Sequence, residues 1–154
     1  MAKARVETAL CGILSAAPAV RALLCEGNDP PFIYWGMIPA NVANQQSRFV
    51  AFRRLSDSPD NTNSGHSGMT QARFAFRCYS RASMEDAALV ADAIEAELDD
   101  ACASGRFTAN NVVIQGLWSD GQIDDPEPPW DGGETGFPCR VVGCTVVYET
   151  TPTA

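Results

Sequence analysis

Histidine is almost absent from this chain: His66 is the only one in 154 residues, and it lies in a Gly/Ser/Asn stretch. Its isolation removes most routes to imidazole-based acid–base or metal chemistry. Positive charge is also scarce. Eleven Lys and Arg stand against nineteen Asp and Glu, a net charge of −8, and Lys3 is the only lysine. An acidic chain of this kind is poorly suited to phosphate backbones, so nucleic acid is excluded as the main partner. No apolar run approaches the roughly 18 residues that a membrane span needs. The cysteines (Cys11, Cys25, Cys78, Cys102, Cys139, Cys144) form no Cys-x-x-Cys pair, and Cys139 and Cys144 lack a second ligand pair for zinc. Their apolar settings predict six buried free thiols.

What the chain does have is pattern. Val6, Ala9, Leu10, Ile13, Leu14 and Ala17 fall at helical spacing, which predicts an amphipathic helix over about 3–17; Glu7 interrupts the apolar core that a signal peptide would need there. Short runs at 32–38, 48–55, 70–79, 111–119 and 139–149 read as strands. In the third of these, Ala72, Phe74, Phe76 and Cys78 point one way and Arg73, Ala75, Arg77 and Tyr79 the other. Between the second and third strands, 57–68 is polar and small throughout, predicting a hairpin with a long mobile tip. Ser83 is an N-cap candidate with Asp86 three residues on, and Ala87, Val90, Ala91, Ile94, Leu98, Ala101 and Cys102 make one stripe of a second helix. The last strand is apolar on both faces and therefore central. The order predicts an α+β fold spanning 1–154 as one domain. It consists of a mostly antiparallel sheet of about four to five strands, with two helices packed on it and a long β-hairpin.

Catalytic chemistry finds no foothold. The acidic segment around Asp120, Asp124, Asp125, Glu127, Asp131 and Glu134 lacks the ligand spacing of a calcium loop. The pairs Asp99-Asp100 and Asp124-Asp125 fall on a polar helix face and in a polar loop, where nothing separates their pKa values. Cys139 or Cys144 as a nucleophile lacks a base, because His66 is the only imidazole in the sequence. No catalytic, cofactor-binding or metal-ligating residue is therefore expected. Charge is more informative. Residues 48–81 carry Arg48, Arg53, Arg54, Arg73, Arg77 and Arg81 against Asp57 and Asp60, whereas the second helix carries seven acids and no base. Opposite surfaces on identical subunits favour head-to-tail association.

The unit formed by Ile33–Pro39, Arg48–Leu55, Ala72–Ser80 (ending in Tyr-Ser) and the Ala-rich acidic helix Met84–Ile94 resembles the tail terminator, or tail completion, proteins of long-tailed bacteriophages. The resemblance covers about 5–149. It implies a structural virion protein without enzymatic activity or cofactor, assembled in the host cytoplasm into a ring, as a hexamer, at the head–tail junction. Such a ring caps the tail tube, ends its polymerisation and joins it to the head connector. The implied partners are further copies of the chain, the major tail tube protein and a head-closure protein. No membrane and no sequence-specific nucleic acid is involved; DNA passes through the lumen. Another head–tail connector component is the alternative, and a small enzyme a more distant one. On this reading the subunit interface draws on Arg53, Arg54, Arg73 and Arg77 facing Leu89, Asp92, Glu95 and Asp99 of a neighbour. Asp57, Asp60, Asn61, Asn63 and His66 form a docking loop.

Overall fold

The computed structural model describes residues 5–25, 31–39, 41–42, 46–62, 65–103, 107–109, 112–126 and 137–150. The first apolar stripe folds as α1 (Val6–Ala16), with Val6, Ala9, Leu10 and Leu14 buried. The helix stops there because Pro18 pushes its predecessor out of the helical region: Ala17 is extended at φ −74° and ψ 122°. Pro18 then opens a separate helix, α2 (Pro18–Leu24), bent 85° from α1. The sequence reading missed α2, although a proline at the first helical position is a start signal. No single described helix is long and apolar enough to cross a membrane. The third helix, α3 (Met84–Ala103), begins as expected, with the Asp86 N–H donating to Ser83 Oγ at 3.1 Å.

The strands are β1 (Ile33–Trp35), β2 (Arg48–Thr62), β3 (Gly65–Ser80), β4 (Phe107–Ala109), β5 (Val112–Asp124) and β6 (Cys139–Thr150). They form a six-stranded sheet in the order β1-β2-β3-β6-β5-β4. β1 runs parallel to β2, and every other pairing is antiparallel. The fold is α+β as expected, with one more helix and a wider sheet than the sequence suggested. β6 is central, flanked by β3 and β5. β1 is shorter than the expected 32–38 because Gly36, at φ +90°, turns the chain away.

Two strands outrun the expectation. The segment 57–68 is not an irregular loop: β2 and β3 stay paired as far as Thr62↔Gly65, with irregularities after Arg54 and Pro59. Ladder hydrogen bonds are backbone bonds, so polar side chains do not prevent pairing, and Pro59 lies where the register already breaks. β5 likewise continues past Ser119 to Asp124. It does so across a bulge at Asp120, followed by Gly121 at φ +108°.

The helices cover one face of the sheet. Phe52, Phe74, Phe76, Cys78, Val142, Cys144, Val146, Ile114 and Leu117 meet Leu10, Leu14, Val20, Leu24, Val90, Ile94 and Leu98 in the main core. Phe52 stacks on Phe76 with ring centroids 5.0 Å apart. A smaller cluster sits on the opposite face, where Val42, Phe49, Ala51, Tyr79 and Cys139 are buried beneath Phe32, Tyr34, Ile38 and Phe137.

Candidate assembly surface

The two faces leave different residues for outside contacts. On the face opposite the helices, the ladder registers set up cross-strand rows. Ala51, Arg77, Val141 and Ile123 form one row. Ser56, Arg73, Thr145 and Trp118 form another, nearer the hairpin. Thr145 donates its hydroxyl to Asp120 Oδ2 at 2.6 Å, and Arg73 Nε lies 4.0 Å from the same oxygen with its side chain 60% exposed. Arg77 donates to Asp125 Oδ2 at 2.7 Å and to Tyr79 Oη at 3.0 Å. The Trp118 indole packs over Gly116: a β-carbon there would sit 3.1 Å from the ring. Gly116 thus lets an aromatic that is 39% exposed lie flat on its own strand.

Arg54, grouped with these arginines by sequence, belongs elsewhere. Alternation along β2 after Val50 and Phe52 sets it on the helix side, opposite Phe74 in the ladder, where its Nη2 lies 2.9 Å from Glu7 Oε1 of α1 and donates to Tyr148 Oη at 3.2 Å. It also reaches Asp57 Oδ2 at 3.1 Å. Its guanidinium lies over Phe74 and Tyr148. Glu7, the residue that argued against a signal peptide, is buried by this pair. Arg53 is exposed and has no carboxylate partner among the described residues.

The acids of α3 are partly engaged within the chain. Gln122 donates its amide to Asp92 Oδ1 and Glu95 Oε2, both at 3.0 Å, and accepts from Arg140 Nε. Arg140 in turn holds Asp124 at 2.6 Å. Asp99 accepts the Ser119 N–H at 3.2 Å, capping the β5 edge at its second bulge. Leu89 is 52% exposed on the outer face of α3. At the start of α3, Arg48 grips Asp86 through two bonds of 2.9 and 2.7 Å, and Ser80 donates to it as well. These bonds from Arg48 and Ser80 hold the Asp86 carboxyl below the usual carboxylate range, against a smaller burial effect. Asp86, three residues after the N-cap Ser83, thus uses its carboxylate to tie α3 to the root of the hairpin.

Of the docking-loop residues, Asp57 pairs with Arg54, while Asp60 and Asn61 lie in β2 and His66 in β3. Asn61 and His66 are register partners. Asn63 lies outside the described residues. β6 reaches β3 only as far as Met69↔Glu149, so Gly65–Gly68 and the facing end of β2 run past the sheet as a two-stranded ribbon. Four residues carry it roughly 13 Å further.

The chemistry of the remaining groups is inert. Cys78 is fully buried, and burial pushes its thiol far up. Cys144 is pushed up to about 12, first by burial and then by Asp120. Neither is a poised nucleophile. No three His, Cys, Asp or Glu side chains among the described residues could hold a metal ion. A concavity of about 440 Å³ between α2 and the start of α3 contains Asp86, already committed to Arg48.

Sequence reasoning missed the exposed apolar side chains. Trp35, Met37, Leu55, Trp118 and Ile123 lie on the two edge regions of the sheet. Two had a readable signal. Trp118 stands beside Ser-Asp-Gly, and Ile123 is the sole apolar residue in 119–125.

Residues 8–128 match the family model for tail completion protein gp17. No individually curated protein sequence matches the chain. Among solved structures, a chain from the virion of a native gene transfer agent particle superposes with a TM-score of 0.62. Its identity is 14%, over 90% of this chain and 91% of that one; at that identity the likeness is one of fold. The family match spans most of the sequence and every element from α1 to β5, so the chain belongs to the tail completion protein gp17 family and is a structural protein of the bacteriophage virion tail.

Proposed function

We propose that the protein acts as one domain that closes, in six copies, into a ring on the end of the tail tube, ending its polymerisation and joining it to the head connector. The observation that carries this reading is the separation of charge across one sheet. Arg53 and Arg73 are exposed on β2 and β3, while the exposed Asp92 and Asp99 of α3 bond to Gln122 and to the Ser119 N–H of β5. Identical subunits that use two different surfaces either close or grow without limit, and a capping component has to close. Exposed ion pairs contribute only about 0–1 kcal/mol each, so charge selects the register while apolar contacts supply the affinity. Within this reading Arg53 and Arg73 are the interface arginines, and Arg54 and Arg77 stiffen the subunit through Glu7 and Asp125. Leu89, Asp92, Glu95 and Asp99 make up the acidic partner surface. The ribbon around Asn61 and His66 projects beyond the sheet and serves as the docking element for the tube protein or the head-closure protein. The ring transmits DNA through its lumen and has no catalytic role.

Sedimentation and native mass measurement at physiological salt and micromolar protein test this directly. A closed oligomer, loosened by added salt, is the expected result. A stable two-fold dimer contradicts the head-to-tail geometry. Trimming the ribbon to a tight turn should leave the fold and the ring intact while blocking completion of infectious particles.

A further inference from the structure

The large apolar side chains that stay exposed are not scattered. Among the described residues they are Trp35, Met37, Leu55, Leu89, Trp118 and Ile123, with Met37 90% and Ile123 64% exposed. Trp35, Met37 and Leu55 belong to β1, the turn after it and β2, at one edge of the sheet. Trp118 and Ile123 belong to β5, at the other edge, with Leu89 on the helix that packs over β5 and β6. A folded monomer has no use for exposed tryptophan, methionine and isoleucine at both ends of its sheet, and such residues are the usual anchors of interfaces.

Register adds a second constraint. Following the ladders across the sheet, Tyr34 leads through Ala51, Arg77 and Val141 to Ile123, and Ser56, next to Leu55, leads through Arg73 and Thr145 to Trp118. The exposed apolar groups thus lie within a residue or two of both ends of these rows, Trp35 on the helix side of the sheet with Phe52 and Ile123 on the other face with Val141. The edges are also stepped. β1 covers β2 only at Val50–Phe52, and β4 covers β5 only at Val112–Ile114, near the opposite end of the strands. Charge then fixes which edge meets which. The β1/β2 edge presents Arg53, and Arg5 lies over Trp35 at 5.9 Å, whereas the β5 edge presents Asp124 beside the acids of α3. Two copies of the same edge would oppose like charges.

From this we infer that the β1/β2 edge of one subunit abuts the β5/α3 edge of a second copy, which sets Trp35 and Met37 at the height of Ile123 and Leu55 at the height of Trp118. A rotation about an axis along the strands keeps each row at its own height and sets β1 antiparallel to the neighbour's β5. The inference deepens the ring reading and rests on it.

Two single variants test it, Met37→Cys and Ile123→Cys, each purified alone, then mixed and treated with a short bis-maleimide, with the unmodified protein giving the background from its own cysteines. Native mass is recorded on the same samples. The expected result is an oligomer in which a cross-linked dimer appears only in the mixture. Dimers formed by either variant alone would show like edges meeting and overturn the inference. An oligomer whose mixture cross-links no more than background would sink this edge contact and leave the ring standing. A strictly monomeric wild-type protein at every concentration would remove the ring and this contact together. Should a variant fail to assemble, radical footprinting of the wild-type protein replaces it. Oxidation of Trp35, Met37, Trp118 and Ile123 should all fall on passing from monomer to oligomer, and unchanged oxidation of these four refutes the contact.

Discussion

The two faces of the sheet are made by the same strands and obey different rules. Under the helices, Phe52, Phe74, Phe76, Val142, Cys144 and Val146 are fully buried, so almost any truncation there leaves a hole. On the other face, among the described residues, one end is closed by the small cluster around Phe49 and Tyr79. The remainder carries Arg73, Arg77, Thr145, Asp120 and Trp118, bonded laterally or exposed. Stability is concentrated on the covered face and contact chemistry on the other face and at the edges. One strand serves both because its side chains alternate.

The most direct way to break this contrast is to cut one side chain from each face. Phe76→Ala removes a ring stacked on Phe52 and should cost about 3–5 kcal/mol, read as a large drop in the midpoint of denaturant unfolding. Trp118→Ala should cost roughly 0.5–1 kcal/mol by the same measurement while weakening self-association in native mass spectra. Equal losses of stability would mean that both faces are core.

That contrast was half legible in the sequence. Alternation along Ala72–Tyr79 assigned the β3 faces correctly, and the stripe from Ala87 to Leu98 placed α3 with its N-cap. What failed was extent and partnership. The polar composition of 57–68 concealed the long hairpin arms, because backbone pairing leaves no mark in side-chain hydropathy. β4, three residues long, is below the length at which periodicity can be read. The arginines were visible as a group, and strand alternation already puts Arg53 and Arg54 on opposite faces, but only the fold shows that Arg54 meets Glu7 of α1. Exposed Trp118 and Ile123 needed the sheet before their positions at one edge meant anything.

A smaller effect should come from the pair that crosses between helix and hairpin. Glu7→Ala leaves the half-buried Arg54 guanidinium against aromatic rings with Asp57 as its remaining carboxylate. The expected cost is about 2 kcal/mol, less than for a fully enclosed pair because Arg54 retains some water. The double variant Glu7→Leu with Arg54→Met should recover most of it. A further loss in the double variant would show that the two residues act independently.

Asp86 should make stability depend on acid in a defined direction. Its carboxyl titrates lower in the folded chain than in the unfolded one, because Arg48 and Ser80 bond to its charged form. Its contribution is therefore complete above the ordinary carboxylate pKa and is lost as pH falls through the lower folded value, since the unfolded chain takes up the proton first. Asp86→Asn should lower stability at neutral pH and flatten the acid limb of the stability curve. An unchanged acid limb would place the pH dependence on other carboxylates.

The smallest effect on the subunit, and the sharpest on the edge, is expected from Arg53. It is exposed and has no carboxylate partner among the described residues to lose, so Arg53→Glu should leave the thermal midpoint where it is. In the assembly it would face the acidic edge of the next copy, turning an attraction worth about 0–1 kcal/mol into a repulsion of similar size. Self-association should weaken by up to roughly tenfold at low salt, and the deficit should shrink as salt screens the charges. Leu89→Arg gives the complementary test on α3: it keeps the fold, removes an apolar contact and adds a positive charge where the neighbour already presents one. A deficit from Leu89→Arg that salt leaves intact, beside a salt-sensitive one from Arg53→Glu, would separate the apolar contact that supplies affinity from the charge that selects the edge. Salt-independent losses in both would show that charge has no part in the choice.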